Sequence, residues 1–393
     1  MDRENTEHSG QTEQTEQTEQ TERTENVEST EHTENMEQEH SEQEFDPNPE
    51  QNQKSKLQAY KIVCFKLGLI MCVFYICRVA GILVTSVIFD TAMELGGATL
   101  TVLFWVIQVI FIYIIPILFA MKLFGSIKYY NIGSGGLTEL FKKPNRLAKK
   151  LGNISALYGL TQGVNLLTML VFFLIPLIFP VLMDNFELRQ FFEPRIIDVP
   201  QTMTGTILLV MALVVAAPLF EEFLFRGIMY DALKPFGHGI AILGTSILFG
   251  LMHSSIHMLF YTTAAGLAFG YIRYATNSLF VVTILHLIVN AVAAGLLLIL
   301  SLGDIIGGNT EFWGTIADIY LLSMLIFLVV GLVAFIRRIP VIRKYRIENN
   351  WTDISSNRKV LYFVFSVPMI IMLIMAIDVH ANYPLLSWLM GLF

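Results

Sequence analysis

Long apolar stretches follow one another through the chain after residue 56, and they constrain its fold more than any other feature. A helix needs roughly 17 to 25 residues to cross a bilayer. Stretches near this length lie at 62–89, 98–121, 154–183, 204–233, 239–256, 257–272, 278–300, 314–336 and 359–378. Backbone groups in hydrocarbon must find partners within the protein. The sequence therefore predicts an all-α fold, a polytopic membrane helical bundle of about eight or nine transmembrane helices. The part 239–272 is predicted to form two short spans joined by a tight turn.

The first 56 residues differ in composition from the rest. Up to residue 53 there are 17 acidic residues against two arginines, whereas the remainder has 16 acidic and 24 basic residues. A short repeat of Thr, Glu and a polar residue runs through this part. Such a segment cannot bury enough apolar surface to offset the entropy lost on ordering, so 1–56 is predicted to be a disordered acidic tail rich in Thr, Glu and Gln.

The charged loops between the apolar stretches predict an orientation. Segments 122–150 and 337–359 are rich in Lys and Arg, whereas 184–203 and 301–313 are acidic. Basic loops remain on the cytoplasmic side, and counting spans places both basic segments there together with the N-terminus. We therefore expect an integral, multi-pass membrane protein with a cytoplasmic N-terminus, located in the cell membrane if the source is bacterial.

Three polar clusters interrupt the later apolar stretches. They are Glu221 and Glu222 with Arg226, Phe249 with His253, and His286 with Asn290. Ionisable groups at membrane depth are costly unless they are paired, hydrated or used in function. At the rise of a helix, the clusters lie about 12 to 21 Å from the predicted cytoplasmic turns near Pro235 and Asn277. They are therefore predicted to share one layer that opens toward the cytoplasm.

The spacing within the clusters indicates which side chains can pair with each other and which remain available for chemistry. Glu222 and Arg226 are four residues apart, so they share a helix face and can pair. Glu221 points about 100° away and keeps a free carboxylate. A carboxylate and an imidazole can hold a water molecule and take its proton, while a second imidazole and a carboxamide can donate to a developing oxyanion. This inventory favours hydrolysis by water, since no serine or cysteine lies in a triad context.

The three clusters resemble the three motifs of the CPBP family, which comprises the CAAX prenyl endopeptidases and bacterial relatives that process bacteriocins or confer immunity to them. The resemblance implies an α-helical intramembrane endopeptidase whose site opens to the cytoplasm. It assigns Glu221 and His253 to water activation, and His286 and Asn290 to the oxyanion site. The pair of Glu222 and Arg226 would be structural.

The resemblance also suggests a division of the chain. The tail 1–56 precedes N-terminal transmembrane helices in 57–203, a CPBP-type catalytic core in 204–300, and C-terminal transmembrane helices in 301–393. The motifs account for the core and leave the other parts without an assigned role.

Two interpretations of the cofactor remain open. Glu221, His253 and His286 could ligate zinc with one open position, as in a metalloprotease. The chain lacks the HExxH motif, however, and no carboxylate is obviously placed to orient the histidines. We therefore expect no required cofactor, with zinc as the alternative.

Three functions compete at this stage. The first is an intramembrane endopeptidase that acts on a membrane-associated or hydrophobic peptide. The second is a non-catalytic membrane protein of the bacteriocin-immunity type, in which the motifs maintain the shape of a cavity. The third is a transporter with a proton relay, although no inverted repeat is visible. The expected partners are membrane lipids and a peptide or protein substrate, such as a bacteriocin or pheromone precursor, with no nucleic acid; in a bacterium, a prenylated substrate is not expected.

Overall fold

Ten helices make up the described part of the protein. The computed structural model describes residues 49–91, 97–125, 147–181, 202–253, 255–307, 310–344 and 355–380. The helices are α1 (Pro49–Thr91), α2 (Gly97–Val109, continued through Ile110–Ile114 and Ile115–Gly125), α3 (Leu147–Ile178), α4 (Met203–Phe236), α5 (His238–Met252), α6 (Ile256–Thr276), α7 (Leu279–Ile306), α8 (Thr310–Lys344), α9 (Ser356–Val364) and α10 (Val367–His380). No strand occurs within these ranges, so the all-α prediction is confirmed.

Six of these helices are long and apolar enough to cross a membrane, namely α1, α2, α3, α4, α7 and α8. A seventh span results if α9 and α10, which are bent by 62° at their junction, are counted together. The protein is therefore an integral membrane protein. Helices α5 and α6 occupy the region predicted to hold two short spans, and the break between them begins at His253.

Parts of several sequence predictions fall outside the described residues. These parts are the tail 1–48, 126–146 of the basic segment 122–150, 345–354 of the basic segment 337–359, and nearly all of the acidic segment 184–203. The chain divides after Ser55, within α1, and all of the residues discussed below lie in the unit from Lys56 onward.

Helix α1 forms the centre of the larger buried cluster. Tyr60, Leu67, Phe74 and Tyr75 on this helix are buried in one cluster with residues of α4, α5 and α10. Gly68 permits the contact with α10, because a Cβ there would lie 2.6 Å from the backbone nitrogen of Met369. Close helix approach at a small residue is the usual way in which membrane helices gain packing energy. This packing holds α1 against the helices that carry the polar clusters.

The turn between α6 and α7 sets the height of the third polar cluster. Asn277 adopts a left-handed conformation with φ of 46° and ends α6. Ser278 then begins α7, and its side chain accepts a hydrogen bond from Val281 N at 3.4 Å. Side-chain capping of this kind satisfies a backbone donor that has no partner within the helix. The capped start places His286 two turns into α7.

Candidate active site

Helix α4 is irregular on both sides of the two glutamates. A π-helical segment at Ala212–Ala216 precedes a short α-helical segment at Ala217–Glu222, and a second π-helical segment follows at Phe223–Met229. Pro218 lies at the start of the middle segment and cannot donate a backbone hydrogen bond. Such π segments occur frequently at functional sites because they reorient side chains. Glu221 and Glu222 therefore lie between two segments in which the side-chain spacing differs from that of a regular α-helix.

The first π segment explains the contact made by Asn290. Ala217 donates its N–H to Ala212 O, and Pro218 has no N–H, so neither supplies Leu213 O with its usual helical donor. Asn290 Nδ2 donates to this carbonyl at 2.8 Å. The side chain therefore replaces a missing backbone bond and joins α7 to α4 at the level of the site. The second hydrogen of the amide is not needed for this contact.

Glu222 is fully buried and has two charged or ionisable partners. Its Oε1 accepts from Arg226 NH1 at 3.1 Å and lies 2.8 Å from His286 Nδ1. Arg226, which is also fully buried, donates to Gly266 O at 3.2 Å, and its guanidinium lies 4.3 Å from the centre of the Phe249 ring. A buried charge is tolerable when it is paired and hydrogen-bonded in this way. The cluster thus joins α4, α5, α6 and α7.

One sequence-based expectation is wrong at this point. No carboxylate was expected to orient the histidines, yet Glu222 lies within hydrogen-bonding distance of His286. An ionised carboxylate can only accept, so His286 Nδ1 carries the proton in this contact. The Nε2 atom of the same ring then faces Glu221. Glu222 therefore fixes the orientation of His286 in addition to pairing with Arg226.

Glu221 is buried but less fully engaged than its neighbour. Its Oε1 accepts a hydrogen bond from the Tyr113 hydroxyl at 3.1 Å, and its Oε2 lies 3.8 Å from His286 Nε2. The second distance is too long for a hydrogen bond. Two polar atoms at this separation can both contact one water molecule. Tyr113 also stacks on Phe220, with ring centres 5.3 Å apart, which fixes its position beside α4.

His253 lies where α5 ends. Its Nδ1 is 2.8 Å from the carbonyl oxygen of Phe249, one turn earlier. Because a carbonyl only accepts, Nδ1 carries the proton, and Nε2 of the neutral ring keeps its lone pair. The ring interacts electrostatically with both Glu221 and His286. The ring of Phe249 contacts the rings of His253 and His286, at centre distances of 4.8 and 5.7 Å.

The structure thus brings the predicted residues together around the middle of α4. Glu221, Glu222, Arg226 and His286 form one contiguous group, His253 interacts with it electrostatically, and Asn290 contacts α4 about two turns before the glutamates. Sequence reasoning missed Tyr113, because a tyrosine in an apolar stretch carries no motif. The π segment at Ile110–Ile114, in which Tyr113 lies, becomes visible only in the structure.

The donor atoms do not fit the zinc alternative as they are arranged. Among the residues that the structure describes, no group of three or more His, Cys, Asp or Glu side chains is placed to hold a metal ion. The contact between His286 Nδ1 and Glu222 leaves Nε2 of that ring available as a ligand, so it is the spacing of the donor side chains, and not this contact, that disfavours a metal.

Residues 203–292 match the family model described as type II CAAX prenyl endopeptidase Rce1-like. This segment contains all three polar clusters and covers less than a quarter of the chain. The match confirms the resemblance stated from the motifs, and at the level of the family it supports a CAAX-type intramembrane protease. The curated proteins and the solved structures gave no significant match.

Proposed function

We propose that the protein is an intramembrane endopeptidase that hydrolyses a peptide bond of a membrane-associated or hydrophobic peptide with water activated by Glu221 and His253. The observation that carries this proposal is the unequal engagement of the two glutamates. Glu222 is paired with Arg226 and His286, whereas Glu221 Oε2 faces His286 Nε2 across 3.8 Å. At this distance Glu221 Oε2 has no direct hydrogen bond to His286, so it can accept a hydrogen bond from a water molecule that lies beside His286 Nε2.

In the proposed first step, the water donates one hydrogen bond to Glu221 Oε2 and another to His253 Nε2. Glu221 takes the first proton as the water oxygen attacks the scissile carbonyl carbon. A tetrahedral intermediate forms, with negative charge on the former carbonyl oxygen. When the C–N bond breaks, the proton passes from Glu221 to the leaving amine, so the products are a carboxylic acid and an amine. Tyr113 keeps Glu221 in position through its hydrogen bond to Oε1.

His286 and Asn290 are proposed to stabilise the oxyanion. Since Nδ1 of His286 already donates to Glu222, Nε2 can donate only when the ring carries both protons. With this ring protonated, the formal charges of Glu221, Glu222, Arg226 and His286 cancel, which suits a buried group. Asn290 contributes the amide hydrogen that is not used for Leu213 O. Donors aimed at a developing oxyanion are among the largest contributions to catalysis.

A cavity whose lining residues include sequence neighbours of His253 and Asn290 supports a hydrophobic substrate. It has a volume of about 280 Å³ and is lined by residues of α3, α6, α7 and α8, including Gln162, Tyr261 and Val289. Ser255, two residues after His253, and Val289, next to Asn290, both contribute to its wall. Apolar walls with a few polar groups are typical of ligand sites. We propose that an apolar part of the peptide lies in this cavity.

The proposal is tested with two internally quenched peptides, one carrying an S-prenylated cysteine near its C-terminus and one with an unprenylated apolar end. Wild-type protein in lipid nanodiscs should cleave at least one of them, and mass spectrometry should locate a single bond. Glu221→Gln should abolish cleavage, whereas Asp318→Asn, which removes an exposed carboxylate from α8, should not. Cleavage by folded Glu221→Gln at the wild-type rate overturns the mechanism. Failure to cleave either peptide favours the non-catalytic, immunity-type alternative.

A further inference from the structure

Arg78 is a cation within the apolar span of α1 that has no ion-pair partner among the residues that the structure describes. It is partly buried, and its Nε atom, like that of Arg226, is buried without a hydrogen-bond partner. The other two arginines near the site are paired, Arg226 with Glu222 and Arg273 with Asp231. Within the described residues, no carboxylate pairs with Arg78. An unpaired guanidinium at membrane depth is costly, and such residues are usually retained for function.

The position of Arg78 on α1 places it beside the candidate active site. Tyr75, Arg78 and Gly81 are spaced three apart, so Arg78 lies between the other two around the helix, about 60° from each. The Tyr75 hydroxyl donates to Leu251 O at 2.6 Å, two residues before His253. The carbonyl oxygen of Gly81 accepts a hydrogen bond from Gln108 Nε2 at 3.5 Å. This side of α1 thus contacts the end of α5 and the part of α2 that leads to Tyr113.

The electrostatic interactions of Arg78 also place it near the candidate active site. Arg78 interacts with both Tyr113 and His253 across the space between α1, α2 and α5. Tyr113 is hydrogen-bonded to Glu221. The guanidinium therefore lies within electrostatic range of the group proposed to hold the water, although Arg78 is not part of the three motif clusters and lies outside the matched segment 203–292.

We propose that Arg78 binds a carboxylate of the peptide substrate and that this carboxylate is the C-terminal one. The inference rests on the proposed function, because it requires a peptide in this site. Arginine suits the task because its planar, forked donors match the two oxygens of a carboxylate. Every unmodified peptide carries an anion at its C-terminus, whereas an acidic side chain occurs only in some. Binding that end would set the distance from the terminus to the cleaved bond.

Direct binding tests the proposal without relying on hydrolysis. Full-length Glu221→Gln protein in nanodiscs is titrated with a fluorescent, S-prenylated peptide in three forms, namely the free acid, the C-terminal amide, and the amide with a glutamate added near the end. The free acid should bind about tenfold or more tightly than the plain amide, as expected for a hydrogen-bonded charge. Adding Arg78→Gln should abolish this preference, and adding Arg78→Lys should retain part of it.

The matched control is Lys66→Gln, which removes another cation from α1 about 18 Å away along the helix. Lys66 donates to Leu123 O at 2.8 Å and does not contact the site residues, so this variant should keep the preference for the free acid. Equal binding of acid and amide, no binding of the free acid, or a preference that survives Arg78→Gln overturns the proposal. If the amide with the added glutamate recovers tight binding in an Arg78-dependent manner, the carboxylate is a side chain and the C-terminal assignment is wrong.

The outcomes also separate this inference from the proposed function. Cleavage by wild-type protein with no preference for the free acid overturns the role of Arg78 alone. An Arg78-dependent preference for the free acid without any cleavage overturns the peptidase and leaves a carboxylate-binding site.

Discussion

His286 Nδ1 lies 2.8 Å from Glu222 Oε1, the same oxygen that accepts a hydrogen bond from Arg226. One carboxylate oxygen thus connects a buried arginine to a proposed oxyanion donor. Glu222 has two roles that can be separated, because it pairs with Arg226 and it orients His286, whose charged form it is proposed to support. A purely structural pair would have only the first.

Glu222→Gln should therefore reduce both stability and activity, whereas the double variant Glu222→Gln/Arg226→Gln should recover stability only. The single change leaves the Arg226 charge buried and unpaired, at a cost of about 3 to 5 kcal/mol, and removing both charges relieves most of this. Thermal unfolding in detergent measures stability, and the cleavage assay measures activity. Recovery of cleavage in the double variant would contradict the role assigned to Glu222 at His286.

Tyr113→Phe should lower the rate of cleavage while leaving the fold intact. The hydroxyl donates to Glu221 Oε1 at 3.1 Å, so its removal frees the carboxylate to rotate away from the water. The loss of one hydrogen bond to a charged group corresponds to a decrease of about tenfold or more in kcat. Tyr320→Phe is the matched control, since that hydroxyl donates to Val292 O away from the glutamates. Equal effects of the two changes would argue against a positioning role for Tyr113.

The sequence predicted the helical class and the meeting of the three clusters because both follow from local properties. Apolar length predicts a span, and a shared depth brings Glu221 and His286 to one layer. Spacing by four residues likewise indicated that Glu222 and Arg226 can pair, and they lie 3.1 Å apart. These inferences need only the geometry of single helices.

The contacts that tune the site were not predictable in this way, because they depend on how helices face one another. The proximity of Glu222 to His286 requires the rotation of α7 relative to α4, and Tyr113 comes from a helix outside the motifs. The π segments of α4 also change the directions of its side chains from those expected of a regular α-helix. Pro218 was the available signal, since a proline within an apolar helix predicts a local break.

Purified protein should contain far less than one zinc per chain, and a strong chelator should leave cleavage unchanged. The physical reason is the arrangement of the donors, because no group of three His, Cys, Asp or Glu side chains is placed to hold a metal among the described residues. Elemental analysis and the cleavage rate before and after chelation provide the measurements. Loss of activity on chelation, restored by added zinc, would favour the alternative in which Glu221, His253 and His286 act as ligands.

The predicted orientation is tested by single cysteines at the two ends of α4. Lys234 and Met203 are both exposed at these ends, and the native Cys64, Cys72 and Cys77 are buried. In a cysteine-free background, Lys234→Cys should be protected from a membrane-impermeant maleimide in intact cells, because the turn after α4 is predicted to be cytoplasmic. Met203→Cys should be labelled. The reverse pattern would place the site on the opposite side of the membrane.

Asn290→Ala should cost both stability and activity, and Pro218→Ala should separate the two. The amide of Asn290 donates to Leu213 O at 2.8 Å. Pro218 cannot donate to this carbonyl because it has no N–H. In the Pro218→Ala background, the new backbone N–H can donate to Leu213 O in place of Asn290. The decrease in the free energy of unfolding caused by Asn290→Ala should then be smaller by about 1 kcal/mol or more. Cleavage should remain impaired, since the second hydrogen of the amide is proposed to bind the oxyanion. If Pro218→Ala restores cleavage together with stability, Asn290 acts only as a link between α7 and α4, and the oxyanion must be bound by His286 without it.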